Sequence, residues 1–181
     1  MELNIKKFDH YGRGISYLDD KIIFIENTIP DETVEVEITN ETSKYLIGKV
    51  KEFKNKSPRR VKSPFYPICG GCHLRHMSYD DTLNFKKNKL SEILEKYAGI
   101  KTDINIIKNK EKDFYRNKIE IQVKEGVYGF FKSETHDIVE IDRCQNAEES
   151  INTLLLSLNT LHITNGIVTI NYAYLQDNVT I

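Results

Sequence analysis

The sequence has few cysteines, no export signal and no long apolar run, and each absence removes a class of protein. Three cysteines occur in 181 residues, at positions 69, 72 and 144. An odd count without a signal peptide argues against a disulfide framework and leaves metal binding or unpaired thiols. The opening MELNIKKFDHYGRG has no basic segment followed by an apolar one. Nowhere does the chain approach the roughly 18 consecutive apolar residues of a membrane span. A soluble, cytoplasmic protein with no membrane partner is expected. A hydrophobic share of 39% beside 29% charged residues excludes the disordered and fibrous classes, and the length allows one medium domain or two small ones.

Acidic residues are nearly absent from the stretch richest in bases. From Lys44 to Lys62 eight basic residues face Glu52 alone, whereas the first 43 residues carry ten acids against four bases. A formal net charge of −1 therefore hides a basic band. Charge runs of this kind usually do no more than keep a surface solvated. This one runs from a strand-like segment straight into the connector KNKSPRRVKSP, which makes Lys49, Lys51, Lys54, Arg59, Arg60 and Lys62 candidate phosphate contacts. Tyr45, Phe53, Phe65 and Tyr66 are interleaved with them and suit either base stacking or a core.

Residues 1–56 read as short strands, LNIKKF, GISYL, KIIFIE, VEVEIT and YLIGKVKEF, joined by turns rich in Gly, Asp, Asn and Pro. Five strands in so short a span predict a small OB-like barrel. Residues 57–77 form a basic connector and a cysteine-rich segment. From Ser78 a helix is expected, opened by a capping box of Ser78 and Asp81, striped by Leu83, Leu90, Ile93, Leu94 and Tyr97, and closed by Gly99. NKIEIQVKEG, VYGFFK and HDIVEID read as further strands. A second helix is expected from a box of Asn146 and Glu149, with Ile151, Leu154, Leu155, Leu158 and Leu161 on one side. The fold class is mainly β with an α+β part, residues 78–181 forming a partial α+β domain. The chain stops inside an apolar, β-branched run, which suggests truncation; an edge strand that simply ends there is the alternative.

The segment SPFYPICGGCHLRH concentrates the metal-binding chemistry. C-x-x-C-H matches a haem-attachment signal, but that chemistry needs export. A thioredoxin-like pair would need a βαβ context with the cysteines at a helix N-terminus. Zinc is open to Cys69, Cys72 and Cys144 with one of His73 or His76. An iron–sulfur cluster would use the three thiolates, and Gly70 and Gly71 would let backbone N–H groups approach the sulfides, although a cubane usually takes four thiolates. Three unligated thiols, some of them buried, complete the range. Further on, Tyr115, Arg116 and Lys118 in DFYRNKIEI place aromatic and cationic groups at a strand start, where they suit a nucleic-acid backbone or a neighbouring acid.

Taken in order, these segments resemble the N-terminal part of the S-adenosylmethionine-dependent RNA 5-methyluridine methyltransferases. GRGISYLDDKIIFIENTIPDETVEVEI and YLIGKVKEF look like that family's TRAM domain, CGGCHLRHMSY like its cluster segment, and FYRNKIEIQV, YGFF and HDIVEIDRC like the start of its central domain. The resemblance implies an RNA partner, ribosomal or transfer, a monomer, and a 4Fe-4S cluster on Cys69, Cys72, Cys144 and Ser63. Ser63 stands where cluster-bearing members have a cysteine, and Arg75 replaces a usual glutamine. A serine alkoxide is a harder ligand than a thiolate, so such a cluster would be labile; zinc is the alternative. The resemblance also implies that S-adenosylmethionine, the nucleophilic cysteine and the base belong to a domain beyond these residues, so no catalytic residue is assigned here. In that chemistry a thiolate adds to the uracil ring, the neighbouring ring carbon takes the methyl group, and a base removes the ring proton. A non-enzymatic RNA-binding protein, with or without a stabilising zinc, is the competing reading.

Overall fold

A computed structural model of the chain describes residues 1–63, 66, 68–133, 135–173 and 178–180. Phe65 and Ile181 lie outside them. Two compact units are present, one of residues 1–67 and 72–108, the other of residues 68–71 and 109–181. The expected division placed the first helix with the second β-rich part. In the structure that helix belongs to the barrel unit.

The first unit is built on six strands, β1 (Glu2–Asn4), β2 (Lys7–Phe8), β3 (Gly14–Leu18), β4 (Lys21–Ile25), β5 (Thr33–Glu41) and β6 (Tyr45–Asn55). Their order is β1-β5-β6-β4-β3-β2, with β4 and β6 parallel and the other pairs antiparallel. The expected first strand is two. β1 pairs with β5 and β2 with β3, so the chain crosses at Ile5 from one end of the sheet to the other and brings the two edges together. Ile5 N donates to Glu32 O at 2.9 Å and Lys6 N to Ile15 O at 2.8 Å, and Ser16 Oγ of β3 donates to Asn4 O of β1 at 2.9 Å, which links the two ends of the curled sheet. Alternation sends Val34 and Val36 of β5 inward with Ile5, Ile23, Ile25 and Leu46, while Glu37 points out.

Helix α1 (Tyr79–Ala98) begins as its sequence predicts, with Ser78 Oγ accepting from Asp81 N at 3.1 Å. Gly99, at φ 67°, ends it and donates to Glu95 O at 3.1 Å. The stripe does not behave as a core face. No residue of α1 is fully buried, and Leu90, Ile93 and Tyr97 are exposed. Phe85 anchors its second turn through an edge-to-face contact with Phe8 at 5.2 Å.

The second unit is a five-stranded antiparallel sheet of β7 (Lys118–Lys124), β8 (Val127–Phe131), β9 (Ile138–Glu140), β10 (Asn165–Ala173) and β11 (Asn178–Thr180), ordered β11-β10-β7-β8-β9. Its inner face, Ile119, Ile121, Val123, Val168 and Ile170, packs on Ile151, Leu155 and Leu158. Helix α2 (Glu149–Leu155) starts later than expected. Its N-cap is Glu148, without a side-chain cap bond, and Asn146 is not the cap. A 3-10 turn at Leu158–Leu161 then replaces the last helical turns.

Candidate nucleic-acid interface and cysteine segment

The basic band meets the acidic strand in space. β5 and β6 are antiparallel neighbours, so VEVEIT runs beside YLIGKVKEFKN, with Glu37 facing Lys49 and Glu35 facing Glu52. Lys51 and Lys54 fall at register shifts, where β6 carries an extra residue, and turn back on the acids of β5. Lys51 Nζ is 3.8 Å from Glu37, and Lys54 Nζ is 3.3 Å from Glu35 and 2.5 Å from Glu52. Glu52, followed by Glu35, raises the pKa of the Lys54 ammonium. A segregation of charge along the sequence thus becomes a mixed ladder on the surface.

The two arginines of the connector are turned inward. Arg60 donates through Nε and Nη2 to both oxygens of Glu32 at 2.7 Å, and through Nη1 and Nη2 to the side chain and carbonyl of Asn27 at 3.0 and 2.8 Å. Glu32 is fully buried. Burial works to raise its pKa, but the Arg60 bonds and the N–H groups of Ile29 and Ser57 outweigh this and hold the carboxyl below its ordinary range. Arg60 also lies 4.3 Å over the Phe53 ring. Arg59 Nη2 donates to Pro30 O at 2.9 Å and to Asp31 Oδ2 at 3.2 Å. The guanidinium of Arg60, expected as a phosphate contact, here ties the connector to the barrel. Lys62 is exposed.

His76 sits beneath this connector, 1% exposed and stacked on Tyr66 at 4.9 Å. Its Nε2 lies 3.2 Å from Thr28 O. A carbonyl only accepts, so Nε2 carries the proton and Nδ1 is bare; Nδ1 has no partner among the described residues. Burial, then the positive charge of Arg60, pushes the imidazole down to about 4. Burial also raises the Tyr66 phenol, with Glu26 adding to the effect. His76 is a neutral packing group in this structure.

The expected cluster donors are divided between the units, Ser63 and Cys72 in the first, Cys69 and Cys144 in the second. Cys69 is buried and bridges to Lys132, and Gly70 N donates to Phe131 O at 2.9 Å. This approach requires glycine, since a Cβ at position 70 would stand 2.8 Å from Phe131 O and 3.0 Å from Ser133 N. Cys144 is held by Asn152, whose Oδ1 accepts from Cys144 N at 2.7 Å and whose Nδ2 donates to the carbonyls of Cys144 and Ala147 at 3.1 and 2.9 Å. Asn152, 3% exposed, is a positioning residue that sequence reading missed. Its only signal was an amide on the apolar side of a helix. Among the described residues no three His, Cys, Asp or Glu side chains are gathered to hold a metal ion.

Tyr115, Arg116 and Lys118 are all exposed. The backbone of Arg116 pairs with the loop after Cys144, its N donating to Asn146 O at 2.7 Å and its O accepting from Glu148 N at 2.9 Å. Lys118 Nζ stands 3.6 Å from Glu120.

A six-stranded barrel followed by a sheet unit defines a class, and comparison with known proteins gives it content. Residues 1–51 match the TRAM domain. The chain is 32% identical over 167 residues to an uncharacterized RNA methyltransferase of Clostridium acetobutylicum, covering 86% of this chain and 36% of that protein. It is 30% identical over 188 residues to one of Aquifex aeolicus, covering 100% and 44%. It is 30% identical over 161 residues to the 23S rRNA (uracil(1939)-C(5))-methyltransferase RlmD of Vibrio parahaemolyticus, covering 84% and 37%. The chain thus spans between 36% and 44% of the length of these curated relatives. The fold matches the crystal structure of the Pyrococcus abyssi tRNA (uracil-54, C5)-methyltransferase in complex with S-adenosyl-L-homocysteine, with a TM-score of 0.74 at 22% identity over 99% of this chain and 44% of that one. Over nearly its whole length the chain is similar to RNA methyltransferases, and residues 1–51 match the TRAM domain that opens it. No helix among the described residues is long and apolar enough to cross a membrane.

Proposed function

We propose that these residues are the RNA-holding front of an enzyme that transfers a methyl group from S-adenosylmethionine to C5 of a uridine in ribosomal or transfer RNA, the chemistry residing in a further segment. The observation that carries this reading is the continuity of the match. The relatives named as RNA methyltransferases align through the barrel, the cysteine segment and the second sheet rather than through the TRAM domain alone. A uridine must leave its stack before its ring can be attacked, so a separate surface that grips the flanking RNA is a physical requirement of the reaction. The exposed cations Lys49, Lys62 and Arg116, with Tyr115, are available for that grip, and Lys51, Lys54 and Lys118 after release from their acids.

Binding of the 181-residue chain to a labelled single-stranded RNA, followed by anisotropy across salt concentrations, tests the reading. Affinity should fall steeply with salt, with a log–log slope of about −0.7 per phosphate contacted. No binding at low salt would overturn it. The cluster is tested separately by metal analysis after anaerobic purification. Iron with equal sulfide supports ligation by Cys69, Cys72, Cys144 and Ser63, zinc supports a structural site, and neither makes the segment a plain connector.

A further inference from the structure

The first unit contains an open cleft of about 1090 Å³ between the outside of β2 and β3 and the exposed flank of α1. Its floor is the Phe8–Phe85 contact. One wall is the barrel rim with Lys6 and Lys7; the other is the last half of α1, with Lys96 and Tyr97. The flank of α1 that lines the cleft is mostly polar, with Asn84, Asn88, Lys89, Glu92 and Lys96 beside Phe85, Ile93 and Tyr97.

The charges of the cleft can be balanced group by group. Three carboxylates line it, and each has its own cation: Asp9 with Arg13 at 2.7 Å, Asp81 with Arg59 at 3.9 Å, and Glu92 with Lys89 at 2.6 Å. Lys6, Lys7 and Lys96, all exposed, make no ion pair among the described residues. The surplus is thus three positive charges, placed on both walls. Between them lies aromatic and amide surface. Tyr97 is 75% exposed with Lys96 Nζ 5.1 Å over its ring, and Asn84 and Asn88, one helical turn apart, also line the cleft. On β6, by contrast, Lys51 and Lys54 already have acidic partners.

We infer that this cleft, rather than the β5–β6 face, is the groove in which the chain holds single-stranded RNA. Unpaired lysines on both walls suit a backbone of phosphates, an exposed tyrosine suits base stacking, and asparagine amides suit base edges. An acidic protein segment would satisfy the lysines but would leave the tyrosine face and the amides without matching groups. The inference rests on the RNA-binding reading above and moves the main groove from the cations named there to the cleft.

The test uses the 181-residue chain and a labelled ten-nucleotide RNA of mixed sequence, with thermal melting of each variant to verify folding. The triple variant K6A/K7A/K96A should bind at least about tenfold more weakly and should lower the magnitude of the salt slope by about two units. Y97A should weaken binding about fivefold or more without changing that slope, because stacking releases no counterions. K51A/K54A, carried in parallel, should lose less than the triple variant. If the triple variant binds like the parent while K51A/K54A loses affinity, the cleft is wrong and the RNA reading stands. If the parent itself binds no RNA, the reading fails first. If polyglutamate of equal charge displaces the RNA at equal concentration, the cleft is a general acidic-segment site and the inference is overturned.

Discussion

At the scale of the residue, Arg60 and His76 carry the strongest consequences. Replacing Arg60 by alanine leaves the buried Glu32 carboxylate without its counter-charge, and a buried ion pair broken on one side costs about 3–5 kcal/mol. Urea unfolding of R60A should show that loss; a change below about 1 kcal/mol would contradict the pairing described here. His76 makes the barrel unit acid-sensitive. Its folded pKa, about 4, lies below the ordinary 6.5, so the unfolded chain binds the proton first. Its stabilising effect is complete above about pH 6.5 and is lost as pH falls toward 4, up to about 3 kcal/mol in all. Glu32, with its pKa also depressed, adds to the loss at lower pH. The melting temperature should drop between pH 7 and 4.5, and H76F should flatten that drop. An unchanged slope in H76F would place the acid sensitivity elsewhere. None of this was legible in the sequence. Arg60 stood there as one more cation of a basic band, because its partners Asn27 and Glu32 lie 33 and 28 residues away.

At the scale of the element, local signals were read well and pairings were not. The capping box of Ser78 and Asp81 and the terminating Gly99 were legible because helix ends are decided within a few residues. The β3, β4, β5 and β6 strands were legible from alternation and turns. The splitting of β1 from β2 was not, since it depends on which strands each end meets. The same holds for the basic band, whose neutralisation by β5 requires knowing that the two strands are neighbours. In the second unit, Asn152 is the element-scale device that fixes the loop of Cys144. N152A should leave those backbone groups unpaired and raise the labelling rate of Cys144 by a thiol reagent about fivefold or more, read by mass spectrometry. Labelling at the parental rate would mean that the loop is held by other contacts. G70A should lower the melting temperature of the same unit, because the new Cβ meets backbone on two sides; an unchanged temperature would show that the docking of Cys69 and Gly70 adapts.

At the scale of the whole molecule, the likeness to RNA methyltransferases was legible in the order of the motifs, and the comparisons agree with it. The cysteine segment was the least legible part. Its thiols fit several chemistries by spacing, and the departure at Ser63 removes the one ligand that would separate a cluster from zinc. On the function proposed above, these residues grip RNA on behalf of methyl transfer carried out in a further segment. The most direct measurement is the size of the native polypeptide in its source cells, detected with an antibody against residues 1–181. The account predicts a band more than about twice the 21.1 kDa of this chain, as expected where relatives are matched over only 36% to 44% of their length. A single band at 21.1 kDa would contradict it and leave an RNA-binding protein with no methyl transfer of its own.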